Sequence, residues 1–175
     1  AFDSFNLIKS LAEEFKPEFA KALESDPEYA KAIISIGRGG KKPRKDYGTW
    51  AELREYMRLF YDDTFTIVDE YPEGADKGDI KATLKRFLET YDPADEQSVW
   101  FDKIKSIAAS LGYAAEMKDY KANPGAYRGS VADVSMFLRV AVTGKLSSPD
   151  MYAVMQILGE ARVRQRIEAM ITILS

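Results

Sequence analysis

Two stretches of this 175-residue chain carry side chains suited to holding an anion or reading the edge of a base. The first is Lys42-Pro43-Arg44-Lys45-Asp46-Tyr47, a basic cluster preceded by Lys41. Arg44 matters most there, because a planar guanidinium fork can make two parallel hydrogen bonds to a phosphate or a base edge, whereas a lysine offers a point charge. The second runs Leu138-Arg139-Val140-Ala141-Val142-Thr143-Gly144-Lys145 and continues through Ser147-Ser148-Pro149-Asp150-Met151. It sets an arginine near the end of one helix, with a new helix start shortly after. Ser148 reads as the N-cap of that helix and Pro149 as its first residue, which would expose unpaired backbone N–H groups beside a hydroxyl. Plain helix capping uses the same residues, and spacing alone leaves both readings open.

Other chemistries lack their residues. There is no Cys and no His, which excludes a zinc knuckle, a thiol nucleophile and any Ser-His or Cys-His pair. The absence of Cys also removes any disulfide framework, as suits a reducing cytoplasm. The glycine-rich run at residues 37–42 is not a phosphate loop: Lys42 is followed by Pro43 rather than Ser or Thr, and its flanks read as helix rather than strand and helix. The pairs Asp62-Asp63, Asp69-Glu70 and Asp95-Glu96 match no EF-hand spacing and read as surface acidity. No metal site and no catalytic set emerges. No apolar run is long enough to span a bilayer, and the first residues do not read as a signal peptide.

The net charge of -3 argues against a nucleic-acid partner, but its distribution does not. Residues 31–58 hold eight basic side chains against three acids, net +5. Residues 62–102 hold twelve acids against four bases, net -8, and residues 118–145 return to +3. Segregation of this kind allows a local anion-binding face on a mildly acidic protein, although charged faces that are merely solvated look the same.

The elements that would position these residues are all helical. Ser4 reads as the cap of a helix through Leu7, Leu11 and Phe15, and Pro17 and Pro27 sit where a first turn tolerates proline, with Asp26 as N-cap. Residues 37–43 cannot hold regular structure. Thr49 caps a helix from Trp50 to about Phe60, and Asp79 reads as the cap of one from Ile80 to Tyr91. Pro93 and Ser98 flank the next start, which ends before Gly112. Asn123-Pro124-Gly125 is a turn, Gly129-Ser130 opens a helix that stops at Thr143-Gly144, and Gly159 interrupts the last pair. The final helix carries Arg162, Arg164 and Arg166 outward, with Val163, Ile167, Met170 and Ile171 inward. Phe65 to Val68 is the weakest part of this reading, being short and β-branched. The expected fold is all-α, with two packed helical subdomains over 1–112 and 113–175 and a hinge near 112–130.

The two basic stretches also carry a family resemblance. Leu138 to Gly144, Ser148-Pro149-Asp150-Met151-Tyr152, and Met155-Gln156-Ile157-Leu158-Gly159-Glu160 followed by Arg162 and Arg164 resemble the end of bacterial glutamyl-tRNA synthetases. Tyr29-Ala30-Lys31-Ala32-Ile33 through Lys42-Pro43-Arg44-Lys45-Asp46, with Trp50 soon after, resembles a longer bacterial variant of that enzyme. Glu116-Met117-Lys118-Asp119-Tyr120-Lys121, Asn123-Pro124, Ala126-Tyr127 and Gly129 fit the same variant. The similarity runs in register over nearly the whole chain.

The resemblance implies a helical anticodon-binding cage in two subdomains, and it implies roles. Arg139, Ser148, Pro149 and Met151 match the arginine and the turn that contact anticodon bases, and Arg44 matches an upstream arginine that recognises a cytosine. Lys41, Lys42, Lys45, Lys121, Arg128 and Lys145 are then the residues that hold tRNA phosphates. Ser148 departs from the family's usual Thr, Lys145 from a frequent Arg, and Gly125 from a more usual acid. The implied partners are tRNA(Glu) and a catalytic domain of the same polypeptide, in the cytoplasm, with neither DNA nor membrane. The class I signatures that bind ATP, of the His-Ile-Gly-His and Lys-Met-Ser-Lys-Ser types, are missing. ATP and Mg2+ are therefore expected of the parent enzyme and not of this chain, which alone should neither activate glutamate nor charge tRNA. Opening at Ala1 directly into helical sequence fits a piece of a longer or processed polypeptide. Two other readings share the basic face: a helical protein–protein interaction domain, and the tRNA-binding end of a class I lysyl-tRNA synthetase.

Overall fold

The computed structural model describes residues 2–15, 17–38 and 49–175. Ten α-helices and one short 3-10 turn account for its regular structure, and the described residues hold no strand, only an isolated bridge between Ala114 and Ser130. The chain falls into two compact units, Ala1–Phe60 and Tyr61–Ser175. The join expected between residues 112 and 113 falls inside the second of them.

The first unit contains α1 (Phe2–Phe15), α2 (Pro17–Ser25), α3 (Pro27–Ser35) and α4 (Trp50–Arg58). Ser4 lies within α1 rather than capping it, because the helix already begins at Phe2. Asp26 does cap α3, accepting from Tyr29 N–H at 2.9 Å. Thr49 and Glu52 close a reciprocal capping box on α4. Ala12, Leu23, Ile33, Met57 and Phe60 are among the side chains removed from solvent. The Tyr29 hydroxyl donates to Phe60 O at 2.8 Å and fastens α3 to the end of α4. Residues 39–48 lie outside the described residues, and with them the glycine-rich run beyond Arg38 and the expected site residues Lys41, Lys42, Arg44 and Lys45.

The second unit is built on α5 (Lys77–Thr90), α6 (Gln97–Ser110), α8 (Val131–Thr143) and α10 (Glu160–Ile173), which pack on one another, with α9 (Met151–Leu158) against α10. Its centre is apolar: Leu84, Phe87, Ile104, Val134, Phe137, Leu138, Val154, Val163 and Ile167 are at most 2% exposed. Eight of the thirteen residues of α8 are buried, so this helix is the axis of the unit. The short α7 (Met117–Ala122) buries no side chain.

Three helix starts differ from the sequence expectation. Asp76, not Asp79, caps α5, its carboxylate accepting from Asp79 N–H at 2.9 Å. Two aspartates three residues apart can both cap, and the upstream one wins because Asp79 is buried with partners of its own. Ser98 lies inside α6, whose N-cap position is Glu96. Ser148 does not cap α9: the helix begins at Met151 and Asp150 accepts from Ala153 N–H at 2.9 Å. A carboxylate caps as well as a hydroxyl and also meets the positive end of the helix dipole, so the start moves two residues on and Pro149 stays in the turn.

Candidate functional site

The arginine-bearing end of α8 is held by local chemistry at both of its ends. At the N-terminus Ser130 and Asp133 form a capping box. At the C-terminus Gly144 adopts φ +72°, a left-handed conformation that ends the helix at little steric cost to glycine. The Thr143 hydroxyl donates to Arg139 O at 2.8 Å and accepts from Lys145 N–H at 3.3 Å. The turn that follows the helix is thereby stitched back onto the helical turn that carries Arg139.

A segment from the beginning of the second unit then crosses this turn. The N–H groups of Val68 and Asp69 both donate to Gly144 O, at 2.8 and 3.0 Å, and the Asp69 carboxylate accepts from Leu146 N–H at 2.7 Å. The approach is so close that a Cβ on Gly144 would stand 2.3 Å from Thr66 O. Phe65 to Val68, short and β-branched, is thus a coil: Phe65 N–H turns back to Tyr61 O at 2.8 Å, and Val68 N–H is spent on the end of α8. Two neighbouring contacts fix the other side of the turn: Gln97 Nε2 donates to Asp150 at 3.3 Å, and the Tyr152 hydroxyl donates to Asp95 O at 2.8 Å.

Within this frame the expected site residues divide. Arg139 is half-buried, and burial lowers the pKa of its guanidinium. Among the described residues it has neither an ion-pair partner nor a hydrogen-bond acceptor. Lys145 and Ser148 are also half-buried, and the Lys145 ammonium meets no carboxylate among the described residues. The Ser148 hydroxyl donates to Pro149 O at 2.9 Å. Pro149 and Met151 are buried and form the floor of the turn.

Lys121 and Arg128 belong to a separate feature. Residues 116–128 are almost wholly exposed and stand on a neck closed by Ala114 N–H to Gly129 O at 2.9 Å and Val131 N–H to Ala114 O at 2.8 Å. Lys121 is exposed on α7. Arg128 pairs with the buried Asp79 at 2.8 Å, and Asp79 also accepts from the Tyr113 hydroxyl at 2.8 Å. One face of that guanidinium is therefore committed to the fold while about half of the side chain stays in solvent.

The structure also corrects one of the outward arginines. Arg166 is 6% exposed: it donates to Val142 O at 2.9 Å, pairs with Asp62 at 3.4 Å and stacks 3.7 Å from the centre of the Phe65 ring. It sits one position before Ile167, so a helical wheel places it at the edge of the buried face. Only Asp62 and Phe65, about a hundred residues earlier, decide that it turns inward. Nothing in the local sequence marks Asp62 or Asp69 as structural acids, and Asp79, read as a cap, is instead a buried partner of Arg128 and Tyr113. The one signal available was their place in a net-acidic segment.

A strapped turn thus stands beside a partly desolvated guanidinium that has no partner among the described residues, an arrangement with the donors to take an anion or a polar edge. Comparison with known proteins makes the class specific: residues 10–171 match the model of a family described as the anticodon binding domain, and the chain belongs to that family. It is similar to the glutamate–tRNA ligase of Sorangium cellulosum, 49% identical over 89% of the chain and 28% of that protein. It is also similar to the glutamate–tRNA ligase of Acetivibrio thermocellus, at 43% identity over 98% of the chain and 31% of that protein. A third, from Clostridium beijerinckii, is 36% identical over 99% of the chain and 32% of its own length. The chain spans about a third of the length of these curated relatives.

Proposed function

We propose that the chain reads the anticodon of tRNA(Glu) as the C-terminal part of a glutamate–tRNA ligase. The observation that carries this reading is Arg139, a half-buried arginine with no partner among the described residues, near the end of the best-buried helix. Holding a cation part-way out of water is unfavourable unless hydrogen bonds compensate, and the described residues supply none. A splayed anticodon base offers acceptors on its edge, and a guanidinium can take two of them at once. The backbone N–H groups of Ser147 and Ser148 find no acceptor among the described residues and are available to the same ligand. Lys145, Lys121 and the solvent face of Arg128 supply phosphate contacts that orient the RNA without reading it. Arg44 recognises a cytosine, and Lys41, Lys42 and Lys45, its neighbours in sequence, hold phosphates. On this reading, glutamate activation, with ATP and Mg2+, belongs to the catalytic domain of the same polypeptide in the cytoplasm.

The test is binding of this chain to a tRNA(Glu) transcript and to the same transcript with its third anticodon base changed. One lost bidentate contact is worth about 1–3 kcal/mol, so the swap should weaken binding about ten- to a hundred-fold. Equal affinities at physiological salt would overturn anticodon reading by the chain.

A further inference from the structure

The segment before α5 has no regular structure, yet between residues 65 and 69 it makes its closest contacts with one place, the turn after α8. Gly144 O takes two amide donors from it, Leu146 N–H is taken by the Asp69 carboxylate, and Thr66 O lies where any side chain at 144 would have to go. The segment is itself anchored by Arg166, which stacks on Phe65 and pairs with Asp62, and Arg162 pairs with Asp62 at 3.0 Å. Val68 and Leu146 remain exposed at 59% and 40%, so the strap crosses the turn at the surface.

We infer that Asp69 is a positioning residue for base recognition: through its hydrogen bond to Leu146 N–H it sets the path of residues 145–148 beside Arg139, and so determines selectivity among anticodons rather than affinity for RNA. The inference rests on the anticodon reading above. Its physical basis is that an Arg fork or an amide discriminates between bases only when it is held within a few tenths of an ångström of the productive geometry. A free turn of six residues between Gly144 and Met151 samples many conformations, and the strap removes that freedom beforehand. An acid is costly next to an RNA-binding surface, because it repels phosphates. Its presence at 69 is explained by the strength of a charge-assisted hydrogen bond to an amide.

Three variants separate geometry from charge. Asp69→Asn keeps an acceptor and loses the charge. Asp69→Ala loses both. Asp69→Glu keeps the charge and displaces the acceptor, and it serves if the alanine form does not fold. Each is measured against the tRNA(Glu) transcript and the third-base variant, with thermal unfolding as a check on the fold. Asp69→Ala and Asp69→Glu should lower the ratio of the two affinities about tenfold, while Asp69→Asn retains the wild-type ratio. Asp69→Asn, which removes only the charge, should bind the two transcripts slightly more tightly, by a common factor. An unchanged ratio in Asp69→Ala, or an equal loss in Asp69→Asn, overturns the positioning role and leaves anticodon reading standing. A wild-type chain with no selectivity overturns both.

Discussion

In the middle of α10, Arg166 is almost wholly buried and engaged by a carbonyl, a carboxylate and an aromatic face. At the end of α8, Arg139 is half-buried and meets none of these among the described residues. The two side chains have the same chemistry and lie on adjoining helices, so the difference is one of environment. Arg166 is compensated within the fold, and its hydrogen bond to Val142 O also satisfies a carbonyl in the last turn of α8 that would lack a helical partner. Arg139 carries part of the same desolvation cost without compensation. A folded protein tolerates that where a ligand supplies the missing partner, so on the proposed reading Arg139 belongs to the binding site and Arg166 to the scaffold. Arg128 stands between them, tied to Asp79 on one side and open to solvent on the other.

The largest expected effect tests the scaffold side of this comparison. Arg166→Met removes a buried partner from Val142 O and Asp62, and should lower unfolding free energy by about 3 kcal/mol in a urea titration. A loss under about 0.5 kcal/mol, the range of ordinary surface changes, would erase the distinction between the two arginines.

Arg139→Ala tests the other side. Unfolding should stay within about 0.5 kcal/mol of wild type, because among the described residues no side-chain hydrogen bond or ion pair is lost. Binding to tRNA(Glu) should weaken about ten- to a hundred-fold, with the loss greater for the cognate transcript than for the third-base variant. Unchanged affinity removes Arg139 from the site.

The intermediate case yields the smallest effect. Tyr113→Phe strips one hydrogen bond from Asp79 and leaves Arg128 as its remaining partner, at a cost of about 1.5 kcal/mol. Burial, and then the bond to Asp79, push the Tyr113 hydroxyl from its ordinary value of 10.0 up to about 12. The folded state therefore keeps a proton that the unfolded chain releases. That stabilisation is complete below pH 10 and is lost as pH rises from 10 to 12. The variant should show a shallower alkaline decline, with the other buried tyrosines producing what remains; an identical decline would mean that the Tyr113–Asp79 bond does not persist in solution.

Much of the helical order was legible in the residues. Asp26-Pro27, Thr49 with Glu52, Ser130 with Asp133, and Gly144 each end or begin a helix by short-range hydrogen bonds that sequence spacing specifies. The misplaced starts, at Asp76 and Asp150, came where two cap-competent residues stood within three positions of each other. Local pattern cannot choose between such residues, because the choice depends on what else each side chain can bond. The same limit hid the strap. Asp62 and Asp69 read as solvated acids, and their partners lie about eighty to a hundred residues away.

By itself, then, the sequence determined an all-helical fold, the absence of thiol and imidazole chemistry, and the basic stretches in which Arg139 and Lys145 fall, because composition and i to i+4 spacing act within a few residues. Tertiary structure alone decided which arginine is scaffold and which is left without a partner. It also decided that Pro149 and Met151 are floor, and that a coil from the beginning of the second unit holds the turn at its middle. Burial and long-range hydrogen bonding are properties of neighbours that the chain brings together only on folding.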